Sequence, residues 1–267
     1  MIPYPNINPD LITIGPLRIR WYGVMYVLGF VASYFLIQRQ ERSRQIGLVG
    51  PVVQDLILYL ALGLIVGGRL GYIVFYEFNN YGAYLSNPLE IVATWHGGMS
   101  FHGGFIGVLL AAVIFCRLRK LPFAAVADSI VVTTPIGLGL GRIGNFINGE
   151  LLGLPTGVPW AMIFPGGGSV PRHPSQLYEA FFEGLVLFVL LWILRKKAFP
   201  DGMMVVFFLA TYGIGRFFIE FLKEPDPQIG YLFGYFTMGQ ILCGFMLLAA
   251  VLITCLIYLR SASAKSE

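Results

Sequence analysis

Residues 141–153 concentrate side chains that could bind a polar ligand. These thirteen residues include four glycines, two asparagines, one arginine and one glutamate. Glycine lets the backbone approach a ligand closely, asparagine both donates and accepts hydrogen bonds, and the planar fork of Arg142 suits phosphate. The alternative is a glycine-rich turn that caps a helix. Such a turn accounts for Gly144 and Asn145 but leaves the arginine, the second asparagine and the acid unexplained.

Ionisable side chains also occur inside or at the ends of apolar segments, where each costs about 2.5–3.5 kcal/mol on insertion scales. Seven of them are Arg69, His102, Arg142, Glu179, Glu183, Arg216 and Glu220. The planar fork of an arginine suits phosphate, which lipid headgroups supply in a membrane. Mutual pairing is the alternative, since Arg216 and Glu220 are spaced for an i,i+4 pair. Arg69 could likewise pair with Glu179 or Glu183.

The composition places these residues in a membrane protein. Apolar residues make up 57% of the 267 positions and charged residues only 12%, whereas about 25% of a soluble domain is charged. The 33 glycines have no fixed period, which excludes a collagen-like chain, and the dominance of apolar residues excludes disorder. Spans of about 20 residues each leave no room for a large soluble domain.

Seven apolar segments are each long enough to cross a bilayer as a helix. They are residues 21–37, 56–76, 99–116, 121–141, 177–194, 203–222 and 238–258. The predicted fold class is an all-α polytopic membrane protein with seven transmembrane helices, forming a single domain over residues 1–267. The first segment is expected to remain as a span, because no basic region precedes it and no small-residue cleavage site follows it.

The basic residues predict the orientation of the spans. Eleven of the 18 lysines and arginines lie in the first, third, fifth and last connections, against five on the opposite side. The positive-inside rule then places the N-terminus outside and the C-terminus in the cytoplasm. In this orientation the seven ionisable groups face the outer leaflet, which predicts a polar cavity there, and only Asp128 lies deep on the other side.

Several other kinds of partner and site are not expected. The basic residues behind the net charge of +4 are scattered between apolar segments, so no nucleic-acid partner is predicted. The three cysteines lie in or beside apolar segments, so no disulfide framework is expected. No spacing of histidine, cysteine and carboxylates resembles a metal site. Apart from a doubled His-Gly-Gly at residues 96–98 and 102–104, the sequence has no internal repeat.

The segment 141–153 resembles the signature of one bacterial enzyme family. It matches all eight fixed positions of Gly-Arg-x-Gly-Asn-Phe-x-Asn-x-Glu-x-x-Gly, the pattern of the phosphatidylglycerol–prolipoprotein diacylglyceryl transferases. Further stretches that are similar to this family lie at residues 21–26, 98–104 and 172–179, and at Tyr212, Arg216, Glu220 and 224–226. The resemblance therefore covers nearly the whole chain.

The resemblance implies transfer of the sn-1,2-diacylglyceryl group from phosphatidylglycerol to the lipobox cysteine thiol of a prolipoprotein signal peptide. A thioether forms and glycerol 1-phosphate leaves. This is the first step of bacterial lipoprotein maturation in the inner membrane, and it implies no cofactor. The candidate catalytic residues are His102, Arg142 and Arg216. The candidate substrate-binding residues are Tyr22, Arg142, Asn145, Glu150, Gly153, Tyr212 and Glu220.

The chemistry of this reaction suggests a role for each catalytic candidate. A free thiol with a pKa of about 8.5 is mostly protonated at neutral pH, so a base is needed. His102, the one histidine in the polar part of a span, is the predicted base; its alternative role is to orient the lipid, with phosphate or water taking the proton. Arg142 and Arg216 would stabilise the charge of the leaving phosphate.

The remaining candidates are expected to bind lipid oxygens or to support the fold. Tyr22 and Tyr212 could hydrogen-bond lipid oxygens or lie at the interface as aromatic anchors. Asn145 and Gly153 are expected to shape the loop. His173 is predicted to be structural, because Arg-His-Pro-Ser is typical of the start of a helix.

The runner-up function is a transporter or flippase for an anionic lipid, in which arginines bind phosphate without chemistry. Transporters usually contain repeats and place their sites near the midplane of the bilayer. This sequence lacks such repeats, and its buried charges lie on one side. A purely structural scaffold would not require so many buried charges.

Overall fold

The structure, a computed structural model, describes residues 2–15, 17–77, 84, 86–93, 97–225, 230–232 and 234–263. Two short antiparallel hairpins pair β1 (Asp10–Ile14) with β2 (Leu17–Arg20) and β3 (Tyr231–Leu232) with β4 (Phe236–Thr237). The helices are α1 (Trp21–Arg44), α2 (Gly50–Phe75), α3 (Leu89–Val92), α4 (Phe101–Arg119), α5 (Phe123–Val131), α6 (Thr134–Asn148), α7 (Ser175–Glu179), α8 (Leu187–Leu194), α9 (Met203–Ile219) and α10 (Met238–Ser263). A π-helical segment, Ala180–Val186, joins α7 to α8, and a 3-10 turn, Glu220–Leu222, follows α9.

Seven helical stretches of the described chain are long and apolar enough to cross a bilayer, which confirms the predicted number of spans. They are Trp21–Glu41, Gly50–Phe75, Phe101–Arg119, Phe123–Asn148, Ser175–Leu194, Met203–Leu222 and Met238–Leu259. Several run beyond the predicted limits, because a helix continues past the first charged side chain into the headgroup region. Span two, for example, begins at Gly50, ahead of Asp55, and span three ends at Arg119.

Span four differs most from its prediction. Two helices form it, α5 and α6, and they are separated just before Thr134. Pro135 interrupts the helical ladder because it has no N–H to donate. The predicted end of this span at residue 141 lies too early, since α6 continues to Asn148 and is capped by Gly149. Arg142 and Asn145 therefore lie in the last turns of a helix and not in a turn that follows it.

The chain divides into two compact units: Met1–Leu36 with Asp128–Glu267, and Ile37–Ala127. In the second unit, α2 and α4 pack through glycines spaced four residues apart. A Cβ atom at Gly67 would overlap the carbonyl of Gly103 and lie 2.7 Å from the Cα of Gly107. Within a bilayer, such small residues allow two helix backbones to approach closely.

Gly107→Leu is therefore expected to destabilise the protein strongly, because a Cβ at this position would overlap the carbonyl of Gly63. Overpacking of this kind costs about 1–3 kcal/mol or more. The measurement is the midpoint of thermal unfolding in detergent. Gly244→Leu is the matched control, since a Cβ at Gly244 would meet no atom within 4 Å. Equal midpoints for the two variants would contradict this account of the helix pair.

In the first unit, a buried acid connects two spans. Asp128 accepts hydrogen bonds from the backbone N–H groups of Gly202 (2.9 Å) and Val205 (3.1 Å) at the start of α9. These N–H groups have no partner within their own helix, so the carboxylate caps α9 from another span. The deep acid noted in the sequence thus has a structural role. A buried apolar cluster of Val132, Leu187, Leu191 and Met204 belongs to the same unit.

Candidate active site

Two arginines and two glutamates form a buried cluster in the first unit. Glu179 and Glu183 have no exposed surface, and each contacts both arginines. Arg142 Nε lies 3.0 Å from Glu179 Oε2 and 3.4 Å from Glu183 Oε2. Arg216 Nη1 contacts Glu179 Oε1 and lies 3.2 Å from Glu183 Oε1. Buried charges of this kind are tolerated only when they are paired, and the pairing holds spans four, five and six together.

The spacing of Glu179 and Glu183 continues along span five. Buried residues recur at every fourth position, at Ser175, Glu179, Glu183, Leu187 and Leu191. Four residues advance a regular α-helix by about 400°, so such a column would drift by about 40° at each step. The π-helical segment Ala180–Val186 makes a wider turn and offsets part of this drift. The polar and the apolar members of the column therefore all stay buried.

A second group of residues positions Glu220. Its Oε2 lies 2.9 Å from Arg216 Nη2, which confirms the i,i+4 pair, and its Oε1 accepts a hydrogen bond from the Thr237 hydroxyl (3.1 Å). Thr237 and Gln240 also cap α10 reciprocally, each side chain accepting from the other's backbone N–H. A Cβ at Gly239 would lie 2.6 Å from Glu220 Oε1. The Thr-x-x-Gln pattern before an apolar run was the available sequence signal for these contacts.

Lys223 is a further member of the cluster, although its place just beyond a span indicated only a topology signal in the sequence. Its Nζ lies 3.7 Å from Glu179 Oε1. Burial lowers the pKa of Lys223, the charge of Arg216 lowers it further, and Glu179 opposes both effects. With Lys223, three cations face three carboxylates, so the cluster is formally neutral.

The end of the 141–153 motif is organised around Glu150. Asn145, which is buried, donates to Glu150 Oε1 at 2.8 Å, and Asn148 donates to the same oxygen at 3.1 Å. Gln176 donates to the Glu150 backbone carbonyl at 2.6 Å. Asn148 and Glu150, which a simple helix cap left unexplained, thus form one hydrogen-bonded group with Asn145.

Gly153 lies where three segments meet. It forms a β-bridge with Lys223, and its carbonyl accepts a hydrogen bond from Arg172 Nη1, which also lies 2.9 Å from Glu224 Oε2. A side chain at Gly153 would overlap the His173 carbonyl. The geometry agrees with the expectation that Gly153 shapes the loop.

His173 lies two residues before α7, as expected for a helix start. Its Nδ1 is 3.2 Å from the Tyr178 hydroxyl, which accepts a hydrogen bond from Trp160 Nε1 at 2.6 Å. Burial lowers the pKa of His173, which favours the neutral ring. These contacts agree with a structural role.

The two candidate tyrosines have different surroundings. The Tyr22 hydroxyl lies 3.1 Å from that of Tyr26, and a Cβ at Gly144 would come within 2.9 Å of the Tyr22 ring. Tyr22 is therefore close to the helix that carries Arg142. Tyr212 stacks on Phe208 with ring centroids 5.7 Å apart and lies one turn before Arg216 in α9.

His102 belongs to the second unit, Ile37–Ala127. It is the second residue of α4, its side chain is exposed, and its ring meets that of Phe101 edge-on. A cavity of 260 Å³ is lined by Phe75, Tyr76, Ser100 and His102. His96 and Asp226 lie outside the described residues. Within the described ranges, no three metal-ligating side chains come together.

Seven spans and a buried arginine–carboxylate cluster define this protein as a multi-pass membrane protein with a polar intramembrane site. Residues 9–256 match the family model of the prolipoprotein diacylglyceryl transferases. The chain therefore belongs to the prolipoprotein diacylglyceryl transferase family, which confirms the resemblance found in the sequence.

Curated relatives agree with this assignment over most of their length. A protein of Geobacter sulfurreducens is 53% identical over 239 residues, covering 90% of this chain and 91% of its own. One of Desulfotalea psychrophila is 51% identical and covers 92% of both chains, and one of Methylococcus capsulatus is 48% identical and covers 98% and 100%. All three are named phosphatidylglycerol–prolipoprotein diacylglyceryl transferase.

Proposed function

We propose that this protein is an enzyme that transfers the sn-1,2-diacylglyceryl group of phosphatidylglycerol to the lipobox cysteine of prolipoprotein signal peptides. The bond between the sn-3 carbon and the phosphate oxygen breaks, and a carbon–sulfur bond forms. The thiol proton passes to a base, and glycerol 1-phosphate leaves. Family membership and the names of the relatives support this reaction.

The observation that carries the proposal is the way Arg142 is held. Its ion pairs with Glu179 and Glu183 both run through Nε. In the part of the chain that the structure describes, neither Nη1 nor Nη2 has a hydrogen-bond partner. A guanidinium that is held through Nε can therefore offer its two terminal nitrogens as parallel donors to phosphate oxygens.

The other candidates are assigned roles that complement that of Arg142. Arg216 adds its charge while its own terminal nitrogens hold Glu179, Glu183 and Glu220. Tyr22, Tyr212, Glu220 and the group formed by Asn145, Glu150 and Gly153 are proposed to contact or position the lipid. His102 is proposed as the base, with lipid orientation as its alternative role.

An assay of membranes that contain the protein tests the reaction. Phosphatidylglycerol and a lipobox peptide are supplied, and attachment of a diacylglyceryl group to the peptide is measured by mass spectrometry. A peptide with serine in place of the cysteine is the control and should remain unmodified. Movement of lipid between leaflets without any modified peptide would favour the anionic-lipid transporter or flippase instead.

We also propose that residues 1–267 form one transmembrane domain in the bacterial inner membrane, with the active site on the extracytoplasmic side. The positive-inside rule supports this orientation. A reporter that is active only in the periplasm is expected to work when fused after Gly153 and to be inactive when fused after Lys197. The reverse pattern would overturn the orientation and the outer-leaflet site together.

A further inference from the structure

Arg69, on span two, is a buried cation that the proposed function does not use. Only 6% of its surface is exposed. Its Nε donates to the carbonyl of Ile91 at 3.0 Å, and its Nη1 donates to those of Gly97 at 2.7 Å and Gly98 at 3.0 Å. Nη2 donates to the carbonyl of Glu90. These four acceptors are backbone carbonyls, so the guanidinium binds a segment of chain rather than the carboxylates for which the sequence made it a candidate.

The backbone conformation of Gly97 and Gly98 allows their contacts with Arg69. Gly97 and Gly98 have φ values of 86° and 77°, in the left-handed region that favours glycine. A Cβ at Gly98 would lie 2.8 Å from Arg69 Nη1 and would also overlap the ring of Tyr72. Both glycines therefore turn their carbonyls toward the guanidinium, and at Gly98 the close approach leaves no space for a side chain.

Residues 97–100 continue directly into α4, which begins at Phe101. The Ser100 N–H donates to the Gly68 carbonyl at 2.8 Å, which ties the chain to span two a second time. The Ser100 hydroxyl accepts from the Gly103 N–H at 3.1 Å and caps α4. His102 follows two residues later and lines the cavity with Ser100.

From these contacts we infer that Arg69 is a positioning residue for His102. It fixes residues 97–100 against span two, and thereby sets the start of α4 and the direction of the imidazole. This inference rests on the proposed function, in which His102 reacts or orients the lipid. A planar guanidinium can donate to several carbonyls in a fixed arrangement, whereas the ammonium of lysine is a compact point charge and cannot reproduce it.

Arg69→Lys is the first test, because it keeps the charge and removes the fork. Thioether formation is measured with phosphatidylglycerol and a lipobox peptide for the wild type, Arg69→Lys, His102→Gln and the double variant. We expect kcat to fall about 100-fold in Arg69→Lys, as for a catalytic group displaced by an ångström, with little change in KM. If Arg69 acts through His102, the double variant is no slower than His102→Gln alone. If the rate losses of the two single variants multiply in the double variant, Arg69 has a general structural role and the inference is overturned.

A second measurement does not depend on activity. The chain has three histidines, so in a His96→Gln/His173→Gln background His102 is the one histidine that diethyl pyrocarbonate can modify, and N-carbethoxyhistidine formation reports on it alone. Arg69→Lys is expected to change the rate of this modification at least severalfold. Arg119→Lys is the matched control, since Arg119 makes an exposed pair with Asp55 in the same unit and should leave the rate unchanged. An unchanged rate in Arg69→Lys would overturn the inference.

The two readouts separate this inference from the proposed function. If diethyl pyrocarbonate modifies His102 of the wild-type protein normally but the protein forms no thioether, the proposed function is refuted. The modification rates of the variants would still decide the role of Arg69. Gly98→Ala keeps Arg69 and displaces one of its carbonyls. It replaces Arg69→Lys in both measurements if the lysine variant does not accumulate, and it is expected to show the same changes.

Discussion

Replacing Arg142 by glutamine is expected to reduce diacylglyceryl transfer by about 100- to 1,000-fold, because it removes the donors that meet the phosphate oxygens. Arg142→Lys should also be strongly impaired, since a point charge does not replace two parallel donors. Initial rates with phosphatidylglycerol and a lipobox peptide measure both effects. A variant with normal turnover would reduce Arg142 to a structural anchor.

The cluster supplies the control for this experiment. Arg142→Gln alone leaves Glu179 and Glu183 with one positive charge fewer, and breaking a buried ion pair costs about 3–5 kcal/mol. Arg142→Gln combined with Glu183→Gln removes one charge of each sign and keeps the cluster neutral. The double variant should regain much of the thermal stability and remain inactive. Recovery of activity together with stability would show that Arg142 serves only the fold.

Replacing His102 by glutamine is expected to lower the rate of transfer at pH 7 by about 100-fold or more, as for loss of a general base. Part of this loss should disappear toward pH 9.5, because the peptide thiol, with a pKa of about 8.5, then ionises without help. The measurement is the ratio of wild-type to variant rate from about pH 6.5 to about pH 9.5, a range that spans the thiol pKa.

His173→Gln is the matched control for this profile. His173 is bound to Tyr178 in the first unit, so its loss should affect the rate equally at every pH. A constant ratio for His102→Gln as well would rule out the general base. Together with weaker binding of phosphatidylglycerol, it would assign His102 to orientation of the lipid. Arg142 and Arg216 would then be the main catalytic groups.

Much of the site was predictable from residue type and depth. Arg142, Arg216, Glu179 and Glu183 are charged residues in apolar segments, and a buried charge must find a partner or a function. Length and hydropathy similarly predict the seven spans, because a bilayer admits few other structures. The predicted ends were less accurate, since a helix does not stop where its hydrophobicity stops.

Other features depend on contacts that a linear pattern does not specify. Lys223 lies just beyond a span, where a basic residue normally signals topology, and only the fold brings it to Glu179. Arg69, like Arg216, is an arginine within an apolar span, but it binds carbonyls instead of carboxylates. Charge and depth predict that an arginine needs partners, whereas the path of the neighbouring backbone determines which partners it meets.

The π-helical segment of span five has a consequence for the evolution of this chain. Glu179 lies before it and Leu187 and Leu191 after it, and all three are fully buried. Deleting one residue between them would rotate one half of the span by about 100° relative to the other and shorten it by about 1.5 Å. Either Glu179 would leave the arginines or the leucines would leave their apolar neighbours. Selection should therefore act on the number of residues in this interval as strictly as on their identities, and insertions or deletions should collect in the loops instead.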